Sequence, residues 1–226
     1  MTGLLTAELT KIRTLPAVWL ALGVALPSGV LLGLLTGAGG SVSIGAPGLV
    51  ALVPAYVLVA VPAFAGGSEY RHGQLRLSLL AVPSRGHLFA AKLLASTAVT
   101  VALAVIVAAP GYLLERGVSA TAAGLGARIL AYVLLGLIGF GLAVLTRSAV
   151  TSIGALVLLP VLVSTTLGGL APGLVRVLPH EAVLAFLGLT TGLPHPLPAP
   201  AGLAVVAAWA ALMVAVARSA TIRRDG

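Results

Sequence analysis

The chain is 226 residues long, 59% hydrophobic and only 8% charged, with a net charge of +8 and a mean hydropathy of +1.15. An average soluble domain carries roughly 25% charged residues, and a chain of this size has no core large enough for so much apolar surface, so a soluble globular protein is excluded and a bilayer is the natural solvent. The absence of cysteine excludes disulfides and Cys-ligated metals, and the surplus of Lys and Arg reads as membrane topology, not as a nucleic-acid surface.

In chain order, the first element is TAELTKIRT. Leu5, Leu9 and Ile12 recur there at helical spacing, with Glu8, Lys11 and Arg13 away from that stripe. The pattern predicts a short amphipathic helix in the membrane interface. Read more plainly, it is a charged flank that fixes topology. The first apolar run, at about 15–35, follows without a charge. It is longer than the h-region of a cleaved signal peptide, and more apolar runs come after it, so an uncleaved span is expected.

Five further apolar runs lie at about 48–65, 93–114, 129–145, 149–170 and 201–217. None of the six contains Lys, Arg, Asp or Glu. A charge at mid-bilayer costs about 2.5–3.5 kcal/mol on insertion scales, and a spanning helix needs about 20 apolar residues. The prediction is therefore an all-α, polytopic membrane protein with six transmembrane helices in a single domain over residues 1–226. Pro54, Pro62, Pro110 and Pro160, and the small-residue stretch GLIGFG from Gly136 to Gly141, mark places where helices bend or approach closely. The segment 171–200 is too apolar for a free loop and too broken for a span. A short helix is expected over Glu181–Leu189, started after Pro179 and ended by the prolines beyond Gly192, lying in the interface or dipping in and returning.

Lys and Arg set the orientation. With the N-terminus in the cytoplasm, Lys11, Arg13, Arg71, Arg76, Arg85, Lys92, Arg147, Arg218, Arg223 and Arg224 fall inside, and Arg116, Arg128 and Arg176 fall outside. This asymmetry places both termini in the cytoplasm of a plasma-membrane protein. It also makes residues 66–92, GGSEYRHGQLRLSLLAVPSRGHLFAAK, a large cytoplasmic loop between the second and third spans.

Motifs for chemistry are absent. The chain has no Walker A pattern, no dinucleotide fingerprint and no G-x-S-x-G. PHEAVL does not complete H-E-x-x-H, because Leu184 stands where the second His belongs. His72, His87, His180 and His195 read as loop residues without an acid at ligand spacing, so neither a metal nor a cofactor bound by this chain is expected. The apolar runs offer Ser and Thr but no His, Asp, Glu or Lys to activate them, which argues against an intramembrane enzyme. A coupled secondary transporter would also want an ionisable group in its spans. If energy is used, it enters from outside the chain.

The cytoplasmic loop is the surface to receive it. Leu75, Leu79 and Val82 share one helical face, Arg71 and Gln74 fall elsewhere, and Pro83 ends the pattern. This predicts an amphipathic helix able to dock in a groove of a soluble partner; the plainer reading is a basic loop held at anionic lipid.

AELTKIRTLPAVWLAL, followed by EYRHGQLRLSLLAVPSRGHLFAAKLL, resembles the permease subunits of type-2 ATP-binding-cassette exporters, in particular the small six-span bacterial kind. In that family an elbow helix with Glu-x-x-Lys precedes the first span, matched here by Glu8 and Lys11, with Arg13 beside them. A Glu-x-x-x-Gly-Thr stretch follows the second span, then leucines, Pro, a basic residue and a Lys. Here these positions are Glu69, Gly73, Leu79, Leu80, Pro83, Arg85 and Lys92, with Tyr70, Arg71 and Arg76 in the same stretch. Gln74 stands where Thr is usual. The broken segment before the last span resembles the family's short external helices.

The resemblance implies a permease without its own catalytic site that dimerises, with itself or with a similar permease, through surfaces near its first and fifth spans. It implies a separate cytosolic ATPase that binds the ATP and Mg. The region from Glu69 to Arg85 would be the coupling helix, and alternating access would move an amphiphilic substrate such as a drug, peptide or lipid. A non-transporting membrane anchor or assembly factor is the alternative reading.

Overall fold

The computed structural model describes residues 2–40, 48–67, 84–189 and 193–223, and every regular element among them is helical. α1 (Thr2–Thr14) is separated from α2 (Pro16–Gly37) by Leu15 alone, whose backbone is extended at φ −68° and ψ 123°. Pro16 can open α2 because the first N–H of a helix has no partner in any case, and the ring presets a helical φ. A 3₁₀ turn, Val50–Leu52, leads into α3 (Val53–Gly67), and α4 (Arg85–Arg116) follows. α5 (Ala122–Thr146) and α6 (Ala149–Leu159) each begin at a hydroxyl cap. Thr121 Oγ1 accepts from the Gly124 N–H at 3.1 Å, and Ser148 Oγ accepts from the Thr151 N–H at 3.2 Å.

A π turn, Pro160–Ser164, separates α6 from α7 (Thr165–Leu167). α8 (Pro172–Val175), α9 (Pro179–Leu187) and α10 (Ala199–Arg223) complete the chain. α9 starts two residues earlier than expected because Pro179 is its first residue. It ends at Gly188, where φ is +66° and a side chain would be strained.

Where the sequence predicts six crossings, five helical stretches are long and apolar enough to span a bilayer: Pro16–Gly37, Val50–Gly67, Arg85–Ser119, Ala122–Thr146 and Ala199–Arg223. The segment expected as the fifth span is a shorter apolar helix, Ala149–Ser164. Pro160 lies within it and brings no N–H to the ladder, and the chain takes up the mismatch as a π turn. The third span, expected to start at residue 93, begins at Arg85, so Arg85, His87 and Lys92 lie in a helix and not in a loop. His180 is likewise helical.

α3 sits at the centre, packed by α2, α4, α5 and α6. The peripheral helices turn large apolar side chains outward, among them Trp19 (63% exposed), Leu20 (69%) and Leu31 (56%) on α2. Such a surface is stable against lipid and costly in water.

α2 buries Val18, Ala21, Ala25, Gly29 and Gly33, a stripe of small side chains at helical spacing. It lies on α4 so closely that a Cβ on Gly33 would strike the Gly111 backbone, and one on Gly111 would strike the Gly29 carbonyl. Without a hydrophobic drive between helices in lipid, this contact is what holds the pair together. Gly111→Leu is expected to cost at least about 1–3 kcal/mol by overpacking, and so about 3 °C or more in melting temperature. Thermal unfolding of the detergent-solubilised protein reads it.

The bundle has two distinct ends. Phe89, Phe140, Val144 and Ala217 pack together, so the start of α4 meets the ends of α5 and α10. At the opposite end Leu184 of α9 packs on Gly48, and the Ala182 carbonyl of α9 lies against Gly202 of α10.

Candidate functional site: the α1 ion pair and an apolar cleft

Of the residues singled out in the loop, Glu69, Tyr70, Arg71, Gly73, Arg76 and Pro83 lie outside the described residues. Arg85 opens α4, where Ser84 Oγ and His87 Nδ1 are hydrogen-bonded in the first turn. Lys92 lies two turns further along the same helix.

Lys92 and Glu8 come together. Lys92 Nζ donates to both carboxylate oxygens of Glu8, at 3.2 and 3.5 Å. Each residue is only 7% exposed. This corrects the expectation that Glu8 lies away from the apolar stripe of α1. Residues three and four apart share a helix face, so Glu8 lies on the same ridge as Leu5 and Ile12, and Ile12 is buried at 1% exposure. That face of α1 rests on α4, and Lys92 is the cation that lets a carboxylate be buried there. Lys11 is half-buried and Arg13 exposed. The Arg13 carbonyl accepts from Trp19 Nε1 at 3.0 Å, which fixes the turn from α1 into α2.

The second feature is a cleft of about 580 Å³ between α2, α3 and α6, within the range of small-molecule sites. Leu20 and Val24 of α2, Val57 and Phe64 of α3, and Ile153 and Val157 of α6 line it. Among the residues that line it, Tyr56 alone carries a polar side-chain atom. Tyr56 Oη is turned into the protein, where it is hydrogen-bonded to His180 Nδ1 at 2.7 Å, and the rings stack with centroids 6.1 Å apart. The described residues thus give the cleft an apolar surface without a charged side chain.

At the α9 end, Arg128 Nη2 contacts Glu115 Oε2 at 2.7 Å, and its guanidinium lies 5.2 Å from the centre of the Tyr112 ring. The sequence gives Arg128 a topological role only; the helix α5 begins six residues before it and carries it to the end of α4. Sequence reasoning also missed the Tyr56–His180 contact, because 124 residues separate the partners. The one available signal was an uncommon His-Glu pair in an apolar segment. Among the described residues no group of three or more His, Asp or Glu side chains is placed to hold a metal ion. Compared with protein-family models and with curated proteins, the chain matches none.

Proposed function

We propose that this chain is the membrane permease subunit of an ATP-driven exporter, working as a dimer with a separate cytosolic ATPase. The observation that carries the reading is the buried Glu8–Lys92 pair. The two stretches whose residues resemble the exporter permeases meet there, as α1 and the first turns of α4. A force applied to the loop would pass through α4 to α1 without a flexible joint.

The cleft supports the same reading. It opens beside α2 and α6, the first and fifth apolar segments, and its walls suit an amphiphile with a long apolar part. In a dimer two such clefts would face a shared path. The segment from Ala149 would be the sixth crossing: α6, the π turn and α7 run on without a break to Leu167, roughly 28 Å at 1.5 Å per residue, against about 30 Å of hydrocarbon.

The orientation follows from charge. Among the described residues Lys11, Arg13, Arg85, Lys92, Arg147, Arg218 and Arg223 belong to the α1 end, and Arg116, Arg128 and Arg176 to the α9 end. The α1 end would face the cytoplasm. Single cysteines are easily read, since the chain has none. An impermeant thiol reagent applied to intact cells is expected to label cysteines at Ser119 and Ala199 and to spare one at Ser84; label at Ser84 would reverse the orientation.

The function is tested by purification from native membranes. A Walker A protein that co-purifies, and whose ATP hydrolysis in proteoliposomes responds to this chain, is expected. A stable complex with no nucleotide-binding protein would make the chain an anchor or assembly factor.

A further inference from the structure

Glu181 stands in the first turn of α9 and is 1% exposed, yet neither carboxylate oxygen has a hydrogen-bond partner. The Ser164 hydroxyl, at the end of the π turn, is buried and unpartnered too. It is near enough to act on the Glu181 carboxyl, although the two make no regular hydrogen bond.

Among the described residues, cations that could neutralise this carboxylate are placed elsewhere. Arg176, before α9, is exposed. On α5, Arg128 is bound to Glu115. On α10, Arg218 and Arg223 lie at the far end of the helix. The titratable neighbours are His180, on α9 itself, and Tyr56 of α3, and these are bonded to each other. Tyr132 of α5 is also buried. An ionised carboxylate here would lose its water and gain no counter-charge. The helix N-terminus favours an anion, but weakly, and the desolvation of a buried charge is much the larger effect. A neutral carboxyl carries no such cost, so the site favours the protonated form.

We propose that Glu181 is a proton-binding site: its carboxyl holds a proton in this structure, and loss of that proton drives α9 from its seat. Burial pushes the Glu181 carboxyl above its ordinary value of 4.5, and Ser164 pulls it partly back. Beyond the His180–Tyr56 pair and Ser164, the seat is apolar. Ala182, Val183 and Leu184 are fully buried, and Gly202 of α10 gives the α9 backbone its room. A charge at Glu181 would have to leave this environment, and α9 would go with it. The inference does not depend on the exporter reading.

The test uses the full chain in dodecyl maltoside, a detergent without a carbonyl group. With only five Asp and Glu in the chain, an infrared band of a protonated carboxyl is assignable. At neutral pH the wild type is expected to show this band, shifting on deuterium exchange, and Glu181→Gln to lose it while Glu115→Gln keeps it. Ser164→Ala, which removes the group that favours the anion, should move its disappearance to higher pH. Because the folded carboxyl holds its proton more tightly than the unfolded one, its contribution to thermal stability should be full below 4.5 and be lost as pH rises through the folded-state value. Read as the difference between wild type and Glu181→Gln, that slope belongs to this carboxyl alone.

Trp209, whose Nε1 donates to the Val177 carbonyl just before α9, reports the seat. In a Trp19→Phe background its emission should shift red as the carboxyl ionises. If the Gln variant does not fold, the wild-type titration still decides: no protonated-carboxyl band at neutral pH, or stability that rises through this range, overturns the proposal.

Discussion

Lys92→Ala is expected to destabilise the protein by up to about 3–5 kcal/mol, the cost of leaving a buried charge without its partner. Glu8 would then be a carboxylate at 7% exposure with its paired ammonium removed. Glu8→Lys should be as damaging, because it sets two cations against each other. The double variant Glu8→Lys with Lys92→Glu should recover much of the loss, since the same two positions again carry opposite charges. A third variant separates stability from function. Glu8→Met with Lys92→Leu replaces the pair by apolar side chains of similar volume, a change often neutral or stabilising for a fold. If the pair transmits movement from the loop to α1, this protein will unfold at the wild-type temperature or above and yet lose transport-coupled ATP hydrolysis. Wild-type coupling in it would reduce the pair to a structural tie. Thermal unfolding and ATPase measurements in proteoliposomes read both effects.

Glu69→Gln is expected to weaken ATPase binding about 10- to 100-fold, the equivalent of the 1.5–3 kcal/mol of a hydrogen bond to a charged group. Gly73→Pro should abolish coupling, since Pro would bend, at a cost of roughly 3 kcal/mol or more, the coupling helix that the proposed function requires there. Both follow from the docking role proposed for the loop. A loop that served only topology would respond differently: Lys and Arg would matter in bulk, and Glu69→Gln would be silent. Membrane insertion is checked separately, by the cysteine labelling described above. Variants that insert normally and lose ATPase binding support the docking role. Normal coupling in both would leave the loop as a charged tether.

Some of this architecture is legible in residue order because it obeys local rules. The apolar runs become helices wherever the bilayer forces every backbone group to pair within its own segment. Pro16 and Pro179 open helices, and Thr121 and Ser148 cap them, at positions that neighbouring residues decide. The boundaries were less legible. Hydropathy places the start of the third span at residue 93, but backbone pairing carries α4 back to Arg85, because a helix does not end where its side chains become charged.

A helical chain with membrane-length apolar segments and an uneven distribution of Lys and Arg along it can be read from residue order, since composition and periodicity carry that information without any long-range contact. Which charges meet is settled by packing. Glu8 looks like a surface residue of an amphipathic helix until α1 lies down on α4 and Lys92 arrives from 84 residues away. His180 reads as a loop residue and Glu181 as the start of a short helix until α9 packs on α10 and α5, giving one a phenol and leaving the other with no hydrogen-bond partner among the described residues. The cause is common to both. Burial is a property of the assembled surface, and the cost of a buried polar group is settled by its neighbours in space, which the order of residues along the chain does not specify.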